Sequence, residues 1–120
     1  PTTIAEVESN NTTGTAQVVT QPVTVNGTMG SSTDTDYYKL TVGAGKTLTA
    51  TLTPNSSSDY DLYLYNSAGT QIASSIKGTG AVDSVVTTNG SASTATYYVR
   101  VRFYSGGTGS TSGKYTLGLK

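Results

Sequence analysis

An antiparallel β-sandwich is the fold this 120-residue sequence predicts. Three observations carry that expectation. Apolar and polar residues alternate with a period of two along several short runs, as a half-buried strand requires. Turn residues punctuate those runs at intervals of roughly ten residues, the rhythm of a sandwich. No apolar stripe of helical period occurs in the chain.

The runs are taken in chain order. "TAQVV" (15–19) reads either as a short helical turn or as an edge strand, and "QPVTVNG" (21–27) as a short strand. In "DYYKLTV" (36–42) Tyr38, Leu40 and Val42 share a face opposite Tyr37, Lys39 and Thr41. "KTLTATLT" (46–53) puts Leu48, Ala50 and Leu52 against four threonines, and "DYDLYLY" (59–65) puts Tyr60, Leu62 and Leu64 against Asp61, Tyr63 and Tyr65. "SVVTT" (84–88) is a shorter strand. "TYYVRVRFY" (96–104) sets Tyr97, Val99, Val101 and Phe103 against Tyr98, Arg100, Arg102 and Tyr104, and "KYTLGL" (114–119) closes the set. Asn26-Gly27, Gly43-Ala44-Gly45, Asn66 to Gly69, Asn89-Gly90 and Gly106-Gly107 supply turn chemistry between them. About eight strands with two-faced patterning follow, and each sheet keeps one solvated face. The polar patches at 55–59, 78–80 and 105–113 read as loops. Residues 1–120 form one domain, and residues 1–12 look like a linker segment captured by it.

Composition narrows the function classes. Ser and Thr supply 39 residues and Gly 14, against 12% charged residues, which suits extended chain better than helix. Lys plus Arg and Asp plus Glu are seven each, so nothing favours nucleic acid or an anionic membrane as a partner. With no cysteine, disulfides and thiolate metal sites are excluded. No run reaches the ~20 apolar residues of a membrane span. The hydroxyl-rich composition is of a kind common in secreted bacterial proteins, and no signal peptide is visible. Catalysis is not expected. With neither His nor Cys there is no evident base to activate a hydroxyl. "GAGKT" (43–47) lacks the leading glycine of a phosphate loop and precedes a strand.

The acidic residues are where chemistry gathers. Glu6 and Glu8 are the only glutamates, two apart, and Asn10 and Asn11 follow. On extended chain, positions i and i+2 project to one side, so Glu6, Glu8 and Asn10 can converge, with Asn11 adding an oxygen where the chain turns. Calcium takes six to eight oxygens from carboxylates, amides, carbonyls and water. One segment cannot enclose it, and Asp34 with Asp36, at the mouth of a strand, offers the second doublet. The competing expectation is that Asp34 and Asp36 only open a strand by Asx-turn chemistry and that the glutamates are solvated. Asp59 and Asp61 are read as edge or turn acids.

Tyr98, Arg100, Arg102 and Tyr104 share a strand face, and these are the only arginines. Tyrosine offers apolar area at low entropy cost and arginine a forked donor, so the face could hold a peptide or a sugar. Equally, the arginines could lie over tyrosine rings of a neighbouring strand. Tyr37, Tyr38, Tyr97 and Tyr115 are expected in or near the core.

The ordered set "ExExNN", "GTM", "DTDYYKLTVGAGKTLTATL", "DYDLYLYNSAGT" and "YYVRVRFYSGGTGSTSGKYTL" resembles the bacterial pre-peptidase C-terminal domain, including the collagen-binding domains of clostridial collagenases. The resemblance spans Glu6 to Leu119. It implies a jelly-roll-like sandwich serving as a non-catalytic C-terminal accessory module of a secreted, extracellular protease. It also implies Ca2+ held by Glu6, Glu8, Asn10, Asn11, Asp34 and Asp36. In the collagenase branch, a row of tyrosines on one sheet binds collagen; Tyr104 matches one of them, whereas Arg102 replaces a neighbouring tyrosine. The expected partners are collagen or another extracellular polymer, together with the parent protease's catalytic domain. A carbohydrate-binding module, or a secretion and folding appendage removed on maturation, are the alternatives.

Overall fold

Alternation becomes two layers. The structure, a computed structural model, describes residues 2–8 and 10–120. Among the described residues there are ten strands: β1 (Thr2–Ala5), β2 (Gln17–Val18), β3 (Val23–Thr28), β4 (Thr35–Val42), β5 (Thr47–Pro54), β6 (Asp59–Asn66), β7 (Gln71–Ser75), β8 (Asp83–Thr88), β9 (Ala95–Ser105) and β10 (Lys114–Leu119). They form two five-stranded sheets, ordered β1-β3-β10-β5-β8 and β2-β4-β9-β6-β7.

The inward positions are those the alternation selects. Tyr38, Leu40 and Val42 of β4, Leu48, Ala50 and Leu52 of β5, Leu62 and Leu64 of β6, Val99 and Val101 of β9, and Leu117 and Leu119 of β10 are buried in one continuous core. Burial of this apolar surface drives the two sheets together, at roughly 25 cal/mol per Å² removed from water. Their outward partners differ between the sheets. The first sheet presents threonines, two of which meet across strands as Thr47 and Thr88, Oγ1 to Oγ1 at 3.0 Å. The second presents tyrosine and arginine.

The strand number and the strand directions correct the expectation. About eight strands were predicted, and the additional two are β1 and β7. Both are largely exposed edge strands, so they lack the alternation that marks a buried face. Two pairings are parallel, β1 with β3 and β2 with β4, so the sheets are mixed where pure antiparallel sheets were expected. The cause is the leading segment. It pairs with the first sheet as β1, crosses to the second sheet as β2, and returns to the first as β3. "TAQVV" resolves into both expected forms, a 3-10 turn at Thr13–Thr15 followed by the edge strand β2. The patch at 105–113 includes one helical turn, Gly109–Ser112.

Candidate metal centre

Parallel pairing of β1 fixes the first ligand candidate. The register Thr2↔Val23 to Ala5↔Asn26 continues into a hydrogen bond from the Glu6 backbone N to Asn26 O at 2.9 Å. The Glu6 carboxylate then folds back over β3, where Oε1 accepts from the Thr28 N–H at 2.7 Å. Gln17 staples the passing chain: its Oε1 accepts from Val7 N at 2.8 Å and its Nε2 donates to Ala5 O at 3.1 Å. Asn10 is fully buried, and its carbonyl accepts from Tyr37 N at 2.7 Å. The tail is therefore tied to both sheets before any side-chain chemistry is counted.

The second candidate comes from the opposite layer. Asp36 continues the inward face of Tyr38, Leu40 and Val42 and is fully buried. Its Oδ2 accepts from the Tyr115 hydroxyl at 2.6 Å, and the Tyr115 and Tyr38 hydroxyls lie 2.6 Å apart. Tyr115 can reach this position because its cross-strand neighbour is Gly27. A Cβ at Gly27 would stand 2.2 Å from the Tyr115 Cζ, so this glycine is a space requirement rather than a turn requirement.

These elements bring Glu6, Glu8 and Asp36 together, with one oxygen from each within 4.8 Å of the others. Three oxygens at this spot are buried and have no hydrogen-bond partner: Glu6 Oε2, Asp36 Oδ1 and Asn10 Oδ1. A buried polar atom left unpaired costs about 1–3 kcal/mol, more when charged. Burial pushes the Asp36 carboxyl up to about 11, with the Glu6 carboxylate adding to the shift. Glu8 is pushed up to about 7 by burial and by the nearby Glu6 and Asp34. Tyr38 and Tyr115 are both raised, first by burial. Hard oxygens, negative charge and missing donors are the needs a divalent cation such as calcium meets. The residues present fit that ion.

The other sequence candidates fall differently. Asp34 lies close enough to raise Glu8, and its Oδ2 also accepts from the N–H of Gly30, four residues earlier in the chain, at 2.7 Å. Asn11 is exposed. Tyr38 and Tyr115 are parts of the site that pattern reading did not assign; the signal was the unbroken alternation from Asp36 through Tyr38.

On the second sheet, Tyr98, Arg100, Arg102 and Tyr104 do share the outward face of β9. Arg100 is consumed by packing: its Cζ lies 5.5 Å from the Tyr37 ring centroid and 5.7 Å from that of Tyr63. Its Nε donates to Thr35 Oγ1 at 2.8 Å and one terminal NH to the Tyr65 hydroxyl at 3.2 Å. Arg102 is exposed and Tyr104 is 70% exposed. These two line a groove of about 380 Å³ together with Tyr63, Ile76 and Lys77.

Asp59 and Asp61 depart from their reading as edge or turn acids. They are 8% and 5% exposed and line the floor of the same groove as Arg102 and Tyr104. Burial and the adjacent Asp59 raise Asp61 to about 6.

By its fold and its site the chain is an all-β sandwich module with a carboxylate cluster where its leading segment crosses between the sheets. Residues 34–102, more than half of the chain, match the sequence profile of the bacterial pre-peptidase C-terminal domain, and the chain belongs to that family of peptidase accessory domains. In fold it is similar to the pre-peptidase C-terminal domain of Bacillus anthracis collagenase, with TM-score 0.68, 18% identity, and 88% of this chain and 94% of that one covered. It is also similar to the Aeromonas hydrophila PliG, a periplasmic inhibitor of g-type lysozyme, with TM-score 0.52, 16% identity, and 88% and 99% covered. No curated protein sequence matches the chain.

Proposed function

We propose that the chain is a non-catalytic, calcium-stabilised module that brings a secreted extracellular peptidase to an insoluble protein polymer such as collagen. The observation that carries the calcium reading is the convergence of Glu6, Glu8 and Asp36 within 4.8 Å, with buried, unpartnered oxygens on Glu6 and Asp36 and a buried, unpartnered side-chain amide on Asn10. When bound, the ion supplies positive charge to a crowded anionic cluster and links a leading tail to the core of the sandwich. Glu6, Glu8, Asn10 and Asp36 hold it. Tyr115 orients Asp36 so that Oδ1 is left for the metal, the arrangement by which outer hydrogen bonds tune a metal ligand.

The targeting reading rests on Tyr104 and Arg102. Both side chains are exposed and line one groove, and tyrosine and arginine are residue types enriched at binding hot spots. Arg100 belongs to the scaffold beneath them. The absence of His and Cys from the sequence agrees with a module that performs no chemistry of its own.

Retention on insoluble matrices in calcium tests the proposal. Binding to collagen, weakened at least tenfold by Tyr104→Ala and by Arg102→Ala, supports it. Collagen binding untouched by both changes sinks the surface assignment. Retention on chitin or cellulose alone favours a carbohydrate module, and no retention anywhere favours a maturation appendage.

A further inference from the structure

Among the described residues the sandwich has four free edges, β1 and β8 in the first sheet and β2 and β7 in the second. A free edge offers unpaired backbone groups to any extended chain, and proteins blunt it with short strands, charge, proline or a bulge. Three of the edges are blunted. β2 has two residues. The four-residue β1 is capped at its end by Gln17, which accepts from Val7 N and donates to Ala5 O. β7 has five residues, and its pairing with β6 shifts register between Leu64 and Tyr65. β8 is the longest of the four, at six residues, and its register with β5 is unbroken. Its sequence, "DSVVTT", holds no proline and no cation. Its one acid, Asp83, is fully buried, where Oδ1 accepts from Ser75 Oγ and from Lys77 N.

The backbone groups of β8 alternate in direction. Asn89, one residue beyond the strand, donates its N–H to Lys46 O at 2.8 Å and accepts from Gly45 N at 2.7 Å, so it faces β5. That alternation carries back along an antiparallel pair, and Thr87 and Val85 face β5 as well. The far side of β5 agrees: Thr49 exchanges bonds of 2.9 and 3.0 Å with Lys120, leaving Leu48, Ala50 and Leu52 to face β8. Ser84, Val86 and Thr88 therefore turn their N–H and C=O groups to the open side, where no described residue meets them. Their side chains are exposed on the outer face, Val86 at 60%. Hydroxyls already pair across that face, Thr88 with Thr47 at 3.0 Å and Ser84 with Thr51 at 3.4 Å.

The edge is complementary to itself. In an antiparallel pairing about a two-fold axis through Val86, this valine opposes its own copy, and Ser84 opposes Thr88 of the second copy on both flanks. All three positions become hydrogen-bonded pairs, each exchanging N–H···O bonds in both directions. On the outer face valine meets valine between two serine–threonine pairs, so no like charges meet across the joint. Registers two residues to either side set valine against serine or threonine and leave one of the three positions without a strand partner. From the unguarded edge and this self-complementary register we infer that two copies of the chain associate through β8, joining their five-stranded first sheets into one. Each copy keeps its own Tyr104 groove on the second sheet, so the pair would grip a polymer at two points. That consequence, unlike the pairing, rests on the targeting reading.

Sedimentation of the full chain over a range of concentrations, in calcium, is the test, and a reversible dimer is expected. Val86→Lys sets two ammonium groups against each other on the axis and should weaken the dimer by about tenfold or more. Its circular dichroism and melting should stay those of the unsubstituted chain. Because the chain has no cysteine, cross-linking reads the register. Val86→Cys should oxidise to a disulfide-linked dimer about tenfold faster than Thr88→Cys. The two copies of residue 88 stand roughly 13 Å apart along the strands. A dimer undiminished by Val86→Lys, or equal cross-linking of the two cysteine variants, overturns the inference. So does a chain that stays monomeric throughout; should its Val86 amide then gain exchange protection from added gelatin, the edge belongs to an extended peptide instead. Should Val86→Lys misfold, the cysteine comparison decides alone. A chain that dimerises yet is retained on no matrix sinks the targeting reading and leaves the pairing intact.

Discussion

The two acidic clusters are built from different kinds of sequence. The first takes Glu6, Glu8 and Asn10 from a tail that touches both sheets, and Asp36 from an inward position of β4. The second draws Asp59 and Asp61 from one strand and Asp83 from the start of another. Crowding of acids has different consequences in the two places. At the first cluster it strains a segment held by few backbone hydrogen bonds. At the second, Asp59 and Asp61 sit on a strand paired on both sides, so the frame persists. A metal at the first cluster would therefore fasten the leading segment, whereas the frame around Asp59 and Asp61 needs no such fastening.

The largest expected break in that contrast is Gly27→Val. A side chain there collides with the Tyr115 ring, displaces the Asp36 hydrogen bond, and should destabilise the fold by about 3 kcal/mol. Urea denaturation would measure it, and the calcium response should disappear with it. An unchanged midpoint would show that Tyr115 does not need the gap.

Next in size is the calcium response. At a hundredfold excess over its dissociation constant the ion adds about 2.7 kcal/mol to stability. Asp36→Asn should abolish this increment, and in chelator the variant should melt close to the unsubstituted chain, because Asp36 is held protonated there and an amide of the same shape can still accept from the Tyr115 hydroxyl. A variant that is much less stable in chelator would mean that the Asp36 carboxyl supports the fold even without the metal.

The pH dependence follows from raised pKa values. Asp36 is held up to about 11 and Glu8 to about 7 in the metal-free fold, so between the ordinary carboxylate range and neutrality the folded chain binds more protons than the unfolded one. Stability without calcium should therefore fall as pH rises from about 4 to 7. Saturating calcium should flatten that slope, since the ion favours the charged carboxylates. Thermal melts across this range, with and without chelator, would check it; rising stability in chelator contradicts the assignment.

Tyr115→Phe should have a smaller effect, removing one hydroxyl from the Asp36–Tyr115–Tyr38 chain. Calcium affinity should fall about tenfold, with about 1 kcal/mol lost from the metal-free fold. The smallest is Tyr104→Ala, within about 0.5 kcal/mol of the parent, as for a surface residue away from the core.

Legibility in the sequence tracks how local each feature is. Glu6, Glu8 and Asn10 could be read because spacing of two on extended chain is itself a geometric statement. Asp36 could be read as an inward residue because it extends the alternation of Tyr38, Leu40 and Val42. Asp83 could not be placed in the interior, since a lone acid carries no sign that Ser75 and the Lys77 amide will meet it there. Arg100 and Arg102 look alike in the sequence, and only the cross-strand neighbours Tyr37 and Tyr63 separate a clamped arginine from an exposed one. The edge strands β1 and β7 were hidden because exposed edges need no alternation.

Backbone hydrogen exchange at Glu6 and Tyr37 tests the central claim most directly, since their amides hold the leading segment to β3 and to β4. With calcium both should exchange slowly, and with chelator both should exchange at least tenfold faster while Leu117 in the core is unchanged. Equal protection of Glu6 and Tyr37 in the two conditions would contradict a cation that fastens the tail to the sandwich.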